Sequence, residues 1–216
     1  MRKIALLLAL ILSVSTGILH AQPEYPIFDD GLLLDGYAQS YSAEPKEVLL
    51  AMIQDDTLDD YRMAAAVRVL KQRFSSQLVL REKNLVEKML NRRLNRTDSA
   101  FVEVEILHTL CVLDRYKYFP SMVPVLLQKM DHYNKAVNAL SFAAISDITK
   151  SQGRGREARI IFNVLRKSLF LSRKRLTSIK EPDARLKQKL TLIRWAIKIL
   201  GTEELKRLPP EAIPLL

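Results

Sequence analysis

Apolar residues recur at helical spacing through most of this 216-residue chain, and that periodicity constrains the fold more than any other feature. One clear example is the set Met63, Val67, Leu70 and Phe74, whose members are three or four residues apart. This spacing places side chains on one face of an α-helix, whereas a β-strand needs alternation at every second residue. From Lys46 onward no such alternation runs for more than a few residues, and the whole chain has only six glycines. The sequence therefore predicts an all-α fold.

The helical segments are arranged in four predicted pairs. Their second members begin near Asp59, Ser99, Tyr133 and Asp183, so the steps between them are 40, 34 and 50 residues. These steps bracket the period of two-helix repeats. A short helix pair cannot bury both of its faces alone, so the pairs are expected to stack into one continuous core. We therefore predict an α-solenoid of about four antiparallel helix pairs over residues 46–208, with Ser99 and Asp183 as helix N-caps.

Three stretches resemble the HEAT-repeat family. Residues 59–70 (DDYRMAAAVRVL) look like a HEAT second helix, with an acidic residue, an arginine and then small residues where helices stack closely. Residues 119–127 (FPSMVPVLL) are similar to a HEAT first helix with its internal proline, and residues 138–145 (NALSFAAI) repeat the small-residue face. The resemblance implies a HEAT-like or armadillo-like superhelix that works as a protein-interaction scaffold. It also implies another class, because HEAT-like repeats build a group of basic alkylpurine DNA glycosylases.

Residues 1–21 have the pattern of a bacterial-type signal peptide. A positive start at Arg2 and Lys3 is followed by an uninterrupted apolar stretch over residues 4–12 and a small residue at Ala21. The apolar stretch is shorter than the ~20 residues that a transmembrane helix needs. We predict cleavage after Ala21 and export to the periplasm or the medium. An uncleaved membrane anchor is the alternative.

The segments on either side of the predicted repeats lack helical periodicity. Residues 22–45 contain scattered prolines, glycines and aromatic residues, which predicts an extended lead-in; a disordered linker is the alternative. Residues 209–216 contain three prolines, which predicts a tail without a regular helix. Such a tail either covers the open end of the last repeat or frays.

Positive charge is concentrated toward the C-terminus. The formal net charge is +10, and removal of Arg2 and Lys3 with the predicted signal leaves +8. Residues 22–80 hold five basic and ten acidic residues, a net of −5, and residues 81–149 hold ten and eight, a net of +2. Residues 150–216 hold seventeen and six, a net of +11. Such a field attracts anionic partners and is screened by salt.

A candidate surface for an anion or a partner lies in this basic third. Helical spacing aligns Arg159, Arg166 and Arg173 on one stripe, and aligns Lys187, Arg194 and Lys198 on another. We call the whole predicted set the basic surface: Arg154, Arg156, Arg159, Asn163, Arg166, Lys167, Arg173, Lys187, Arg194 and Lys198. Arginine and lysine suit phosphate or carboxylate groups, but a merely solvated helix face is the alternative.

The sequence lacks patterns that are typical of catalysis or cofactor binding. It contains no Gly-x-Ser-x-Gly, no His-Glu-x-x-His and no clustered cysteines. His108 and Cys111 could supply only two metal ligands where a site needs three or four, and Cys111 fits a small buried apolar residue better. Glu103 and Glu105 are two residues apart on a helix, so they point to different sides. We therefore predict no enzyme activity, no cofactor and no metal.

Three functional hypotheses follow. The leading one is a non-catalytic, exported HEAT-like scaffold that mediates protein–protein interaction in the cell envelope. The second is binding of an anionic envelope polymer or a lipid surface through the basic third. The third is a HEAT-like DNA-binding protein or glycosylase; it requires that residues 1–21 are not a signal, so nucleic acid is ranked last.

Overall fold

The computed structural model describes residues 30–150, 153–179 and 181–216 of the chain. Within these ranges the chain forms nine α-helices and two short 3-10 helices and contains no β-strand. The prediction of an all-α fold is therefore confirmed. Residues 1–21, to which the predicted signal peptide belongs, lie outside the described ranges, as do residues 22–29 of the predicted lead-in.

Helix α1 (Asp30–Ser40) comes first among the described helices, and we assign the eight that follow alternately to two groups, named the first layer and the second layer. The first layer consists of α2 (Lys46–Gln54), α4 (Leu80–Leu94), α6 (Arg115–Lys129) and α8 (Gly155–Leu176). The second layer consists of α3 (Asp60–Phe74), α5 (Ala100–Leu113), α7 (Lys135–Lys150) and α9 (Ala184–Leu200). The 3-10 helices follow at Thr202–Arg207 and Pro210–Leu215.

Contacts between helices follow their order in the chain. Each first-layer helix packs against the second-layer helix that comes next: α2 on α3, α4 on α5, α6 on α7 and α8 on α9. Within the second layer, α3 contacts α5, α5 contacts α7 and α7 contacts α9. In addition, α6 of the first layer packs on α5 of the second layer. One cluster of buried apolar side chains runs through the molecule from Leu34 in α1 to Ala212 near the C-terminus.

Side-chain caps define where several helices begin. The Asp59 carboxylate accepts hydrogen bonds from two backbone N–H groups in the first turn of α3, and Asp183 accepts from the N–H of Leu186 at 2.7 Å. Both satisfy amides that a helix start leaves free. Ser99 occupies the predicted N-cap of α5, but its side chain makes no capping bond. Instead, the Thr97 hydroxyl accepts the Ser99 backbone N–H at 3.1 Å.

Small residues allow α3 to pack closely against three neighbouring helices. Ala64, Ala65 and Ala66 are completely buried, and α3 packs against α1, α2 and α5. Because the distance between helix axes depends on the side chains at the contact, three short side chains let these helices approach closely. The small-residue face in the sequence thus marks a helix with neighbours on three sides.

Enlarging this face tests its role. We expect Ala64→Leu to lower the free energy of unfolding by about 1–3 kcal/mol, because extra methyl groups in a close-packed core force neighbours out of place. Ala51→Leu is the matched control, because Ala51 is exposed on α2, and it should change stability by less than about 0.5 kcal/mol. Urea unfolding of the two variants measures the difference. Equal effects of the two changes would contradict close packing at α3.

The prediction of an extended lead-in is wrong for residues 30–40, which form α1. Leu34 is its one buried residue, while Leu32 is 70% exposed, so the helix has almost no apolar stripe of its own. Contacts with α3 and α7 stabilise it instead. The Asp30 carboxylate accepts from the Tyr61 hydroxyl at 2.8 Å and from the Asn134 side-chain amide at 2.7 Å. These are tertiary contacts, which a local pattern does not contain.

The C-terminal tail packs on the last helix pair. Residues Pro210–Leu215 form a 3-10 helix that contacts α8, and Leu208 and Ala212 are buried. The Arg194 guanidinium of α9 donates to the backbone carbonyl of Leu216 at 2.7 Å. The described tail is therefore packed against α8 and α9.

Candidate functional site

An open cleft of about 630 Å³ lies on the second layer, and we call it the second-layer cleft. Its floor comes from α5, one side comes from α1 and α3, and the other side comes from α7. Apart from Asp147, the α7 side is built from small or apolar residues, namely Ala136, Ala139, Leu140, Ala143 and Ala144. Ala139 and Ala143 are exposed to solvent within it. The cleft therefore has one smooth apolar wall that a second molecule can reach.

The floor of the cleft contains a buried carboxylate. Glu105 is only 1% exposed, and it accepts a hydrogen bond from Arg68 Nε at 2.6 Å and from Lys71 Nζ at 3.0 Å. Burial raises the pKa of a carboxyl group, but the positive charges of Lys71 and Arg68 outweigh burial here and hold the pKa of Glu105 below its usual range. Glu105 is therefore a carboxylate at neutral pH, and it holds α3 against α5.

His108 continues this network toward α7. Lys71 Nζ lies 2.7 Å from His108 Nδ1, and Asp147 Oδ2 lies 3.1 Å from His108 Nε2. An ammonium group can only donate, so Nδ1 accepts and the imidazole proton resides on Nε2, where it is donated to Asp147. Burial and the nearby charge of Lys71 lower the pKa of His108 to about 4. The ring is therefore neutral at pH 7.

The network links equivalent positions on successive helices. Lys71 and His108 are 37 residues apart, and His108 and Asp147 are 39 residues apart. At its other end, Arg68 donates to the Asp35 carboxylate of α1 at 2.5 Å. The chain of contacts thus joins α1, α3, α5 and α7 in one register beneath the cleft.

The electrostatics of the second-layer cleft are nearly balanced. Arg68 and Lys71 contribute two positive charges, and Asp35, Glu105 and Asp147 contribute three negative ones, for a net of −1 with His108 neutral. Both cations are held by carboxylates of the same chain. Among the described residues that line the cleft, none is a serine, threonine or cysteine. The arrangement suits contact with a protein segment better than attraction of a polyanion or nucleophilic chemistry.

The predicted basic surface is spread over a large area. Arg156 and Arg173 are 17 residues apart on α8, which corresponds to about 25 Å along the helix axis. Arg159 pairs with Glu204, and Arg194 binds the C-terminal carbonyls, so both have partners within the chain. Asn163 is exposed on α8. The residues of the basic surface therefore do not line one pocket. They all lie on α8, on α9 or directly before α8.

The remaining cations of the basic surface make no ion pair with a described residue. They are Arg154, Arg156, Arg166, Lys167, Arg173, Lys187 and Lys198. Lys167 faces a different groove from Arg159, one that it shares with Lys189 and Asp131. These side chains are available to solvent or to an external anion. Because the set is spread over a large area, each would contribute separately to the attraction of an anion.

The sequence contains a local signal for the buried network. Residues 101–113 are apolar almost without interruption, which is typical of a helix buried on all sides. Glu105 and His108 stand inside that run, and a buried charge or imidazole requires partners. The partners themselves, Lys71 and Asp147, carry no local signature. Glu103 and Glu105 do point to different sides, as predicted, because Glu103 pairs with Lys129 of α6.

Cys111 behaves as the small buried apolar residue that was predicted. It is 2% exposed, and burial raises the pKa of its thiol to about 12. In the described ranges, no group of three or more His, Cys, Asp and Glu side chains is arranged to hold a metal ion. No helix in the same ranges is long and apolar enough to span a bilayer.

No protein-family model, curated protein or solved structure matches this chain. The HEAT resemblance therefore rests on the stretches quoted above, and the function has to be argued from the chain's own contacts.

The low pKa of His108 predicts a loss of stability on mild acidification. The unfolded chain protonates this histidine near pH 6.5, but the folded chain resists protonation until about pH 4. The unfolded state therefore binds more protons than the folded state between these two pH values. As the pH drops through this window, the free energy of unfolding of the protein should fall by up to about 1.4 kcal/mol per pH unit.

Urea unfolding at pH 7, 6 and 5 measures this slope. His108→Gln removes the titration but keeps a donor for Asp147, so its slope should be shallower than that of the wild type. His132→Gln is the matched control for loss of a histidine elsewhere. If both variants reduce the pH dependence of the free energy of unfolding equally, the buried network is not the source of that dependence.

Proposed function

We propose that this protein is a non-catalytic scaffold, exported to the cell envelope, that binds a partner protein in the second-layer cleft. The observation that carries the proposal is the cleft itself, which combines an exposed alanine wall with a floor whose charges are already paired. A partner segment can cover such a surface without leaving buried charges unpaired, which is the main cost that a charged interface imposes.

A HEAT-like solenoid of stacked helix pairs is part of this proposal. Ion pairs in the first layer join residues about one helix pair apart: Lys46 and Glu82 are 36 residues apart, and Arg115 and Glu157 are 42 apart. Contacts at similar sequence offsets are what stacked two-helix repeats produce. The single core cluster along the chain also supports stacking. Solenoids of this kind present extended surfaces for partners.

The proposal of export depends on the signal-like residues 1–21. Nucleic acid is the least suitable partner for an exported protein, because a nucleic-acid role requires that these residues are not a signal. The second-layer cleft supports the same ranking, because a net charge of −1 repels a phosphate backbone. The HEAT-like glycosylase reading therefore stays last among the three hypotheses.

Site-specific photocrosslinking in the native host tests partner binding. A photoreactive phenylalanine analogue at Ala143 should give a discrete protein adduct, because Ala143 is exposed in the cleft wall. The same analogue at Ala184, which is exposed at the start of α9, is the matched control and should not give that adduct. A second change, Ala139→Arg, should abolish the Ala143 adduct because its side chain fills the cleft.

Two outcomes would contradict the proposal. Identical adducts from Ala143 and Ala184 would indicate unspecific collision, and the absence of any protein adduct from Ala143 would leave the cleft without a partner. Circular dichroism of each variant confirms that the fold is intact.

A second candidate function is salt-dependent binding of an anionic envelope polymer or lipid surface through the basic third. The observation that favours it is the set of seven cations without an ion-pair partner among the described residues. Electrostatic attraction by many separate charges does not need a pocket, so the wide spacing of this set is compatible with a flat or flexible anion.

The triple variant Arg166→Gln, Lys167→Gln and Arg173→Gln tests this second function. We expect its sedimentation with anionic vesicles or polymer to weaken at least about tenfold at low salt, because each cation near an anionic surface contributes about 1 kcal/mol. Arg81→Gln, Lys83→Gln and Lys135→Gln together give the same charge change elsewhere. Equal loss in the two variants, or a wild-type response that does not weaken with salt, would reject a specific role for the basic third.

A further inference from the structure

A second cleft, between α2 and α4, has a different chemistry, and we call it the first-layer cleft. Its volume is about 360 Å³, which is within the usual range for small-molecule sites. Four of its lining residues are cations, Lys88, Arg92, Arg93 and Arg96, and one is an acid, Asp56. The net charge of the lining is therefore +3. None of these cations belongs to the basic surface that the sequence suggested.

The one acid cannot neutralise this cluster. The Asp56 carboxylate accepts from Arg93 at 2.5 Å and from Arg96 at 3.3 Å, so both of its oxygens are already occupied. Lys88 and Arg92 make no ion pair with any described residue. They are four residues apart on α4, which places both on the same helix face. Two free cations thus lie beside two that share one carboxylate.

Arg93 also holds a donor that has no acceptor. Its side chain is only 12% exposed, and its buried Nε–H has no hydrogen-bond partner. An unpaired buried donor is unfavourable, and more so when it belongs to a charged group. Because Arg93 lines the positively charged cleft, an acceptor on a bound ligand could satisfy this donor.

Apart from Gln54, the rest of the lining is apolar. Ile53, Leu85 and Met89 line the same cleft, and Leu85 is 63% exposed. A ligand that fills the cleft therefore needs a strongly anionic group and a less polar body.

We infer that the first-layer cleft binds a phosphoryl group, with the apolar lining against the body that carries it. A phosphate monoester has up to two negative charges and three acceptor oxygens, which match several cations and the planar fork of an arginine. A single carboxylate offers one negative charge and two oxygens, so it would leave more of the +3 charge unbalanced. The shared chemistry is the phosphoryl group, whether it belongs to a lipid headgroup or to a soluble phosphate ester.

This inference does not depend on the partner cleft proposed above. The residues of the first-layer cleft come from α2, α4 and the turns that follow these two helices, and none of them lines the second-layer cleft. Loss of one function by mutation therefore leaves the other testable.

The first experiment is calorimetric titration of the protein with inorganic phosphate and with glycerol 3-phosphate, together with flotation on vesicles. The vesicles contain phosphatidic acid in phosphatidylcholine, or phosphatidylcholine alone. We expect saturable binding of at least one phosphoryl probe. Preference for the phosphatidic acid vesicles identifies a lipid headgroup, and preference for the soluble probes identifies a free phosphate ester. If no phosphoryl probe binds, the inference is wrong.

Matched double variants on the same helix locate the site. Lys88→Gln with Arg92→Gln should weaken binding about tenfold or more, because it removes the two cations that have no other partner. Arg81→Gln with Lys83→Gln makes the same charge change on α4 outside the cleft, and it should keep binding within about twofold. Equal weakening by both pairs would show unspecific attraction and overturn the inference.

Arg93→Lys tests the orphan donor separately from charge. Lysine keeps the positive charge but lacks the guanidinium Nε–H, so we expect roughly tenfold weaker phosphoryl binding with little change in the dependence on salt. Thermal unfolding without ligand monitors the fold. Unchanged phosphoryl affinity in Arg93→Lys would show that the orphan donor does not contact the ligand.

Discussion

The register of the second layer depends on the buried carboxylate of Glu105. It is almost completely removed from solvent, and it is stabilised only because Arg68 and Lys71 of α3 reach it from the neighbouring helix. Loss of either partner in a buried charge pair typically costs 3–5 kcal/mol, since the remaining charge stays without a counterion. The same two cations also hold Asp35 of α1 and His108, and His108 in turn contacts Asp147 of α7. A shift of α3 by a single turn would break all the contacts of Arg68 and Lys71 at once.

This constraint explains why net charge is a poor guide to the sites of this protein. The chain carries a formal charge of +10, yet the second-layer cleft has a net charge of −1 because its cations are bound to carboxylates of the same chain. In the most basic third of the sequence, Arg159 and Arg194 are likewise occupied by Glu204 and by the C-terminal carbonyls. A group of incompletely neutralised cations around a cleft lies instead on α4 and the turn after it, in a region whose net charge is only +2.

The two layers consequently offer different chemistry to partners. The second layer presents alanine side chains above a balanced polar floor, which suits close contact with a protein surface. The first layer presents arginine and lysine beside exposed aliphatic residues, which suits an anionic group on an apolar body. The two proposals together assign a protein partner to the second-layer cleft and an anionic ligand to the first-layer cleft. Because the clefts share no residue, each interaction is open to separate mutation.

The sequence by itself determined the local features of this protein. Apolar residues at helical spacing, such as Val67 and Leu70, predicted buried helix faces, and the capping preference of Asp183 predicted where α9 begins. These follow from interactions within a few residues of the chain. The tertiary structure alone decided which residues meet. Asp147 and Lys71 bind His108 from 39 and 37 residues away, and α1 is a helix because of what it packs against. A local pattern cannot specify such partners, since they are set by how the helices stack.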